Sequence, residues 1–207
     1  MFITLEGPDG SGKSMQVPAL AEFIQQLGYE VLTTREPGGT FIGDQIREVI
    51  MRMENKSMNP RTEILLFCAA RAQIVAEVIR PQLEKGVVVI SDRYADSTLA
   101  YQGYGHGLDL GVLRNILSFA TDGLTPDLTL LLDVDVETGL ARRQSGGGEW
   151  NRLDDYALAF HQRVRHGYHE LVMADPQRWI RIDAGQPPPK VQQHMQEAVL
   201  QRLRPKA

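Results

Sequence analysis

Residues 7–14 read Gly7-Pro8-Asp9-Gly10-Ser11-Gly12-Lys13-Ser14, the spacing G-x-x-x-x-G-K-[ST]. The glycines let the chain curl so that successive backbone N–H groups converge on one point and cradle phosphate oxygens. Lys13 adds a point charge at the β/γ-phosphates, and the Ser14 hydroxyl is a ligand for Mg²⁺. With glycine at about 7% of an average sequence, a chance match arises in roughly 1% of chains of this length. The flanks reduce that further. Phe2-Ile3-Thr4-Leu5-Glu6 precedes the loop as a strand, and Val17, Leu20, Ala21, Ile24 and Leu27 follow at helical spacing. A strand, a phosphate loop and a helix in this order constitute a nucleotide site.

The remaining pattern extends that unit. Apolar runs at 2–6, Tyr29 to Thr33, Val87 to Ser91, Leu128 to Leu132 and Trp179 to Ile182 predict strands. They are near-continuous, as a parallel sheet covered on both faces requires. Helical patterns near 13–27, 41–53, 60–84, 109–121, 136–143, 154–174 and 189–203 alternate with them. The alternation predicts a doubly wound α/β domain with ligands at the carboxyl ends of the strands. Pro18 falls in the second turn of the first helix, where it crowds the carbonyl of Ser14 and predicts a kink. No linker or repeat divides the 207 residues, so a single domain over 1–207 is expected.

Composition excludes several functions. The net charge of −4 argues against a general nucleic-acid or membrane surface. Cys68 is the only cysteine and sits in an apolar run, which rules out an internal disulfide and favours a buried hydrophobe. The absence of a spanning stretch or signal pattern predicts a cytoplasmic protein.

Further along, Val87-Val88-Val89-Ile90-Ser91 ends in Asp92-Arg93-Tyr94. A carboxylate at that edge lies beside the phosphate loop and can hold Mg²⁺ directly or through water, with Arg93 facing phosphates from the next position. Arg35-Glu36-Pro37-Gly38-Gly39-Thr40 follows the second strand as a loop able to approach a ligand closely. Phe67 and Arg71 lie four apart on one helix face, and Arg71 is anomalous in an apolar stretch because an unpaired buried guanidinium is costly. An aromatic face beside a planar donor fork suits base recognition. Ser97-Thr98-Leu99-Ala100-Tyr101-Gln102-Gly103 adds hydroxyls and an amide for the same ligand. Gln144-Ser145-Gly146-Gly147-Gly148-Glu149 cannot pack a core and reads as part of a mobile lid over approximately 142–153.

On these residues the chain resembles the bacterial thymidylate kinases, which phosphorylate dTMP with ATP. The resemblance runs nearly end to end. It rests on the phosphate loop with acidic Asp9, Arg35-Glu36-Pro37-Gly38-Gly39, Phe67 with Ala69-Ala70-Arg71, and Asp92-Arg93-Tyr94. It continues through Ser97 to Gly103, Pro126-Asp127-Leu128-Thr129, Asn151-Arg152-Leu153-Asp154 and Asp183-Ala184. It implies a three-layer P-loop NTPase-type domain with a five-stranded parallel sheet, and a homodimer. It also implies that Gly7 to Ser14 hold ATP, that Arg142, Asp183 and Ala184 lie at the adenine, and that Ser14 and Asp92 hold Mg²⁺. Asp9 would meet the sugar 3′-hydroxyl, and Arg47 and Arg93 the dTMP phosphate. Phe67 would stack on thymine, Arg71 and Gln102 read its edge, Tyr101 crowd the sugar 2′ position, and Ser97 lie nearby. Glu36 would order magnesium and water near the acceptor.

The family supplies a transition-state arginine either from the phosphate loop or from the lid. The loop position here is Gly10, which implies the lid type; Gly148 stands where lid-type relatives often carry an arginine. Arg142, Arg143 and Arg152 remain, with Arg152 ranked first from its Asn-Arg-Leu-Asp context, so the catalytic set implied is Lys13, Arg93, Arg152 and Asp9. Two rival classes stay open at this stage. One is a kinase of the same scaffold acting on dUMP, CMP or a nucleoside. The other is a nucleotide switch, disfavoured because Asn55-Lys56-Ser57-Met58 fails the Asn-Lys-x-Asp guanine-reading pattern.

Overall fold

The fold is taken from a computed structural model, which describes residues 1–146 and 151–203. Five strands, β1 (Phe2–Glu6), β2 (Val31–Arg35), β3 (Val88–Asp92), β4 (Leu128–Asp133) and β5 (Trp179–Asp183), form one parallel sheet in the order β2-β3-β1-β4-β5. Helices cover both faces: α1 (Lys13–Gln26), α2 (Phe41–Met51), α3 (Pro60–Ile74), α4 (Arg80–Glu84), α5 (Ala95–Thr98), α6 (Leu110–Thr121), α7 (Val136–Ser145), α8 (Leu158–Ala174) and α9 (Pro188–Leu200). The sheet, its parallel sense and the flanking helices are those expected from the alternating pattern. No helix among the described residues is long and apolar enough to cross a membrane.

The period-2 geometry of β1 splits the core. Ile3 and Leu5 pack with Leu20 and Ile24 of α1 and Val191 and Met195 of α9, while Phe2 packs on the other face against Ile74, Ile79 and Tyr94. A third apolar cluster joins α3, α6 and α8 through Ile64, Leu117, Val164 and Leu171. Side chains cap several helices: Thr40 accepts from the Gly43 N–H, Asn59 from Arg61, Asp109 from Val112 and Asp135 from Thr138. The start of α1 differs. Gly12 enters it at φ 89° with no side-chain cap and no acidic residue in the first turn, so the Lys13 and Ser14 N–H groups at its start are left for an anion, while those of Met15 and Gln16 donate to the Gly12 carbonyl.

At three places the chain departs from its local pattern. The second strand starts at Val31 rather than Tyr29, because Gly28 at φ 86° turns the chain after α1 and Tyr29 and Glu30 complete that turn; it then runs on to Arg35. The expected 60–84 helix is continuous but widens into a π turn at Val75–Ile79, where Pro81 lacks the N–H that would bond back to residue 77. Residues 95–105 carry a helix that the sequence pattern does not suggest, α5 running on as a π-helical stretch Leu99–Gly105. Nearly all of that stretch is buried, so no polar stripe marks its period. Its glycines are places of contact: a Cβ on Gly103 would meet Leu110 at 2.4 Å, and one on Gly105 would meet Phe160 at 2.6 Å.

Candidate active site

The register aligns the functional segments at one edge of the sheet. Leu5 and Arg35 both lie opposite Asp92, and the chains continue as Arg93 N–H to the Leu5 carbonyl and Glu36 N–H to the Asp92 carbonyl, each at 2.9 Å. The phosphate loop leaves β1, the Glu36-to-Thr40 loop leaves β2 and Arg93 leaves β3, so all three converge at the carboxyl edge. A single cavity of about 810 Å³ opens there. Its lining includes residues 9–16, Glu36, Arg47, Phe67, Arg71, Asp92, Arg93, Ser97, Tyr101, Gln102, Arg142, Arg143 and Ala184.

Within the loop, Lys13 Nζ donates to the carbonyls of Gly7 and Pro8, both at 2.9 Å, and to Ser11 Oγ at 3.1 Å. Burial pushes its pKa down to about 8, with the Arg93 charge adding to the shift. Ser14 Oγ donates to Asp92 Oδ2 at 2.6 Å. Glycine is required on both sides of the loop's contact with α7. A Cβ on Gly10, itself at φ 73°, would lie 1.8 Å from the Gly139 carbonyl oxygen, and a Cβ on Gly139 would lie 2.5 Å from the Asp9 carbonyl oxygen. No arginine side chain fits at position 10.

Arg93 is the hub of the acceptor half. It holds φ 72°, a strained value for a residue with a Cβ. Its NH1 donates to the Gly7 carbonyl, Ser97 Oγ and Tyr168 Oη, and its NH2 to Asp9 Oδ1 at 2.7 Å and Tyr101 Oη at 3.1 Å. Tyr101 in turn donates to Asp9 Oδ2 at 2.6 Å. Burial would raise the Asp9 pKa, but the Arg93 and Lys13 charges and the Tyr101 hydroxyl outweigh it and hold the group below its usual value.

Sequence reading missed the group beneath this hub. Glu6, fully buried at the end of β1, accepts from Tyr94 N–H at 2.8 Å, Ser97 Oγ at 2.5 Å and Tyr168 Oη at 2.9 Å. Burial, helped by the charge of Asp96, raises its pKa to about 7. An acid closing an apolar strand just before a phosphate loop was the available signal.

Arg71 is buried and paired, with three of its five N–H groups engaged by protein. Its Nε donates to Glu36 Oε2 at 2.7 Å, NH1 to Thr98 Oγ1 at 3.0 Å and NH2 to the Tyr94 carbonyl at 3.1 Å. Burial raises the Glu36 pKa against the pull of Arg71, and Glu36 Oε1 is buried without a hydrogen-bond partner. Arg47 reaches the Pro37 carbonyl at 2.9 Å, and burial, with the nearby Arg35 charge, lowers its pKa.

The arginines near residues 142–153 separate. Arg142 NH1 donates to the Ala184 carbonyl at 2.8 Å, and Arg143 forms a two-pronged pair with Asp154 at 3.0 and 2.9 Å; both line the cavity. Arg152 turns away. It is buried on Glu63 Oε2 at 2.5 Å, the Ile50 carbonyl at 2.9 Å and the Tyr156 hydroxyl at 3.0 Å, and it is absent from the cavity wall. The sequence context that ranked Arg152 first could not reveal Glu63 as its partner. Gly148 lies outside the described residues. Asp183 binds its own turn through the Gly185 N–H at 2.9 Å, so of Asp183 and Ala184 only Ala184 reaches the cavity.

Hard cations take oxygen ligands, and Mg²⁺ is held by one or two carboxylates together with substrate phosphates. The Ser14 and Asp92 oxygens beside the phosphate loop, and the unpartnered Glu36 Oε1 in the same cavity, fit such an ion. Among the described residues no cluster of three or more His, Cys, Asp or Glu forms an all-protein cage.

Comparisons with known proteins agree over most of the chain. A family model described as thymidylate kinase matches residues 5–195. A curated thymidylate kinase of Roseiflexus sp. (strain RS-1) is 52% identical over 197 residues, covering 90% of this chain and 87% of the relative. That of Exiguobacterium sp. (strain ATCC BAA-1283 / AT1b) is 47% identical over 203 residues, covering 98% and 95%. Among solved structures, the thymidylate kinase from Ehrlichia chaffeensis superimposes with a TM-score of 0.78 at 32% identity, covering 96% of this chain and 98% of the other.

Proposed function

The chain belongs to the thymidylate kinase family, and we infer that it transfers the γ-phosphoryl group of ATP to dTMP, giving dTDP and ADP. The observation that carries this reading is one cavity whose wall brings the phosphate loop together with Phe67, Arg71 and Gln102. Two nucleotides held there bring an acceptor phosphate oxygen in line with the donor γ-phosphoryl. The acceptor is already anionic, so no general base is required. The protein's task is to position both nucleotides and offset the charge on the transferring group.

In this reading Gly7 to Ser14 and the free N–H groups of α1 hold the donor phosphates. Lys13 carries positive charge to them, and Arg142 and Ala184 border the adenine. Arg93, fixed by five hydrogen bonds, and Arg47 bind the dTMP phosphate. Asp9 takes the sugar 3′-hydroxyl, and Tyr101 and Ser97 line the sugar. Phe67 stacks on thymine while Arg71 and Gln102 read its edge. Ser14 and Asp92 hold Mg²⁺, with Glu36 beside it; the ion when bound neutralises phosphate charge. Residues 142–153 act as the lid, of which 147–150 lie outside the described residues. Arg142 and Arg143 already face the cavity, whereas Arg152 would first have to leave Glu63.

A homodimer in the cytoplasm completes the proposal. In support of self-association, α3 and α6 pack side by side and expose Leu65, Val112 and Phe119, the last 90% exposed.

Release of ADP with ATP and Mg²⁺, measured against dTMP, dUMP, dCMP, dGMP and AMP, tests the substrate. The expected order places dTMP first and dUMP next, because one missing methyl is worth only about 10–200-fold. Preference for another acceptor would overturn the thymine reading while leaving a kinase in place.

A further inference from the structure

We propose that Glu63 sets the base specificity of the acceptor pocket by fixing which end of the Gln102 amide faces the bound base. The proposal rests on the dTMP reading above and assigns a role to a residue outside the cavity wall.

Glu63, Phe67 and Arg71 follow one another at intervals of four along α3, so they share a stripe. Glu63 is completely buried, and donors surround its carboxylate. Oε1 accepts from Gln102 Nε2 at 2.7 Å and lies 3.4 Å from His106 Nε2. Oε2 pairs with Arg152 at 2.5 Å and accepts from the Tyr156 hydroxyl at 3.2 Å. Burial by itself would raise its pKa. The His106 contact, the Arg152 charge and the Gln102 amide outweigh burial and hold the group below its ordinary value. At neutral pH Glu63 is therefore ionised and can only accept.

A side-chain amide has two ends of opposite character, and the network around it decides which way it points. Beside an ionised carboxylate the Gln102 NH₂ must turn inward, because the reverse orientation sets two acceptors face to face. The Gln102 Oε1 is then the atom offered to the cavity, and no described residue donates to it. Arg71 lines the same cavity as a pure donor, with three of its five N–H groups engaged by protein.

A donor and an acceptor side by side match the O4/N3–H edge of thymine or uracil. Cytosine presents the opposite pair, an amino donor and a ring-nitrogen acceptor, and is opposed at both positions. Stacking on Phe67 cannot make this distinction, since every base has a π-face. Glu63 touches no substrate and acts through Gln102, as a positioning residue.

The test compares kcat/KM for dTMP and dCMP in wild-type protein and in Glu63→Gln. The replacement amide can donate as well as accept, which frees Gln102 to turn. The expected result is a fall of at least about tenfold in the dTMP:dCMP ratio, the size of one hydrogen bond lost in a buried site, expressed in KM rather than kcat. An equal loss for both acceptors, with the ratio unchanged, would show a purely structural role and overturn the proposal. Wild-type protein separates the two levels. No wild-type preference for dTMP contradicts the thymidylate reading itself, whereas a preference that survives Glu63→Gln overturns only the role of Glu63. If the variant does not fold, the wild-type protein still answers through 5-fluoro-dUMP, whose N3–H ionises at lower pH than that of dTMP. With Oε1 facing the base, its affinity relative to dTMP falls as pH rises through that ionisation. A ratio that holds steady or improves would overturn the proposal.

Discussion

Replacing Lys13 with alanine is expected to lower kcat by about a thousandfold, the loss seen when one preorganised donor to a developing charge is removed, while the KM for dTMP changes little. Lys13 sits in the donor half, anchored on the Gly7 and Pro8 carbonyls and on Ser11. Its charge acts on phosphate oxygens whose negative charge shifts as the γ-phosphoryl moves, which is a transition-state interaction. Asp9 keeps Arg93 and Tyr101 as partners in the variant, so the acceptor half is left intact.

Stability separates this effect from misfolding. The folded-state pKa of Lys13, about 8, lies below its ordinary 10.5, so the unfolded chain binds more protons between those values. The charged lysine therefore costs stability in full below pH 8, and that cost fades as pH rises toward 10.5. Lys13→Ala removes the penalty, and melting at neutral pH should show a variant no less stable than the parent. Steady-state kinetics that weaken kcat and dTMP binding equally would contradict the assignment.

The second large effect falls on both stability and substrate. Arg71→Ala leaves Glu36 buried 4% exposed with one oxygen already unpartnered and the other deprived of its 2.7 Å pair. Removing one partner of a buried ion pair costs about 3–5 kcal/mol, which in a chain of this size lowers Tm by roughly 10 °C. The same substitution removes a donor from the base pocket, so KM for dTMP should rise about tenfold with kcat less affected. Arg71→Lys distinguishes the two contributions. A lysine restores the charge beside Glu36 and much of the stability, but it lacks the planar fork, so KM should remain raised. An unchanged KM in both variants would remove Arg71 from base recognition.

What the sequence makes legible follows from how local each signal is. The phosphate loop works through backbone N–H groups and a fixed spacing, so Gly7 to Ser14 announce themselves without any partner. Asp92 and Arg93 follow the apolar run Val87 to Ile90 with only Ser91 between, and a parallel strand's carboxyl end is where ligands bind. Arg71 stands out because a guanidinium in an apolar helix demands a partner, although the identity of that partner, Glu36, depends on a contact across 35 residues.

The illegible part is long-range. Glu6 meets Tyr168 across 162 positions, and Glu63 meets Gln102 across 39. Neither pairing leaves a local pattern: Glu6 closes an apolar strand, but Glu63 follows Arg61 and Thr62 in an ordinary polar helix start. Arg152 shows a different kind of long-range dependence. Its motif context points to the phosphates, whereas packing turns it onto Glu63. The helix at 95–105 escapes detection because burial on all sides erases the polar face from which a period is read.

The most direct test of the central claim follows the transferred group itself. Purified protein is given ATP labelled in the γ-phosphoryl together with dTMP and Mg²⁺, and the labelled products are separated. The account predicts label in dTDP in proportion to the ADP formed, with little release of inorganic phosphate. Label accumulating as inorganic phosphate, at a rate indifferent to dTMP, would contradict it and make the protein an NTP hydrolase on a kinase scaffold.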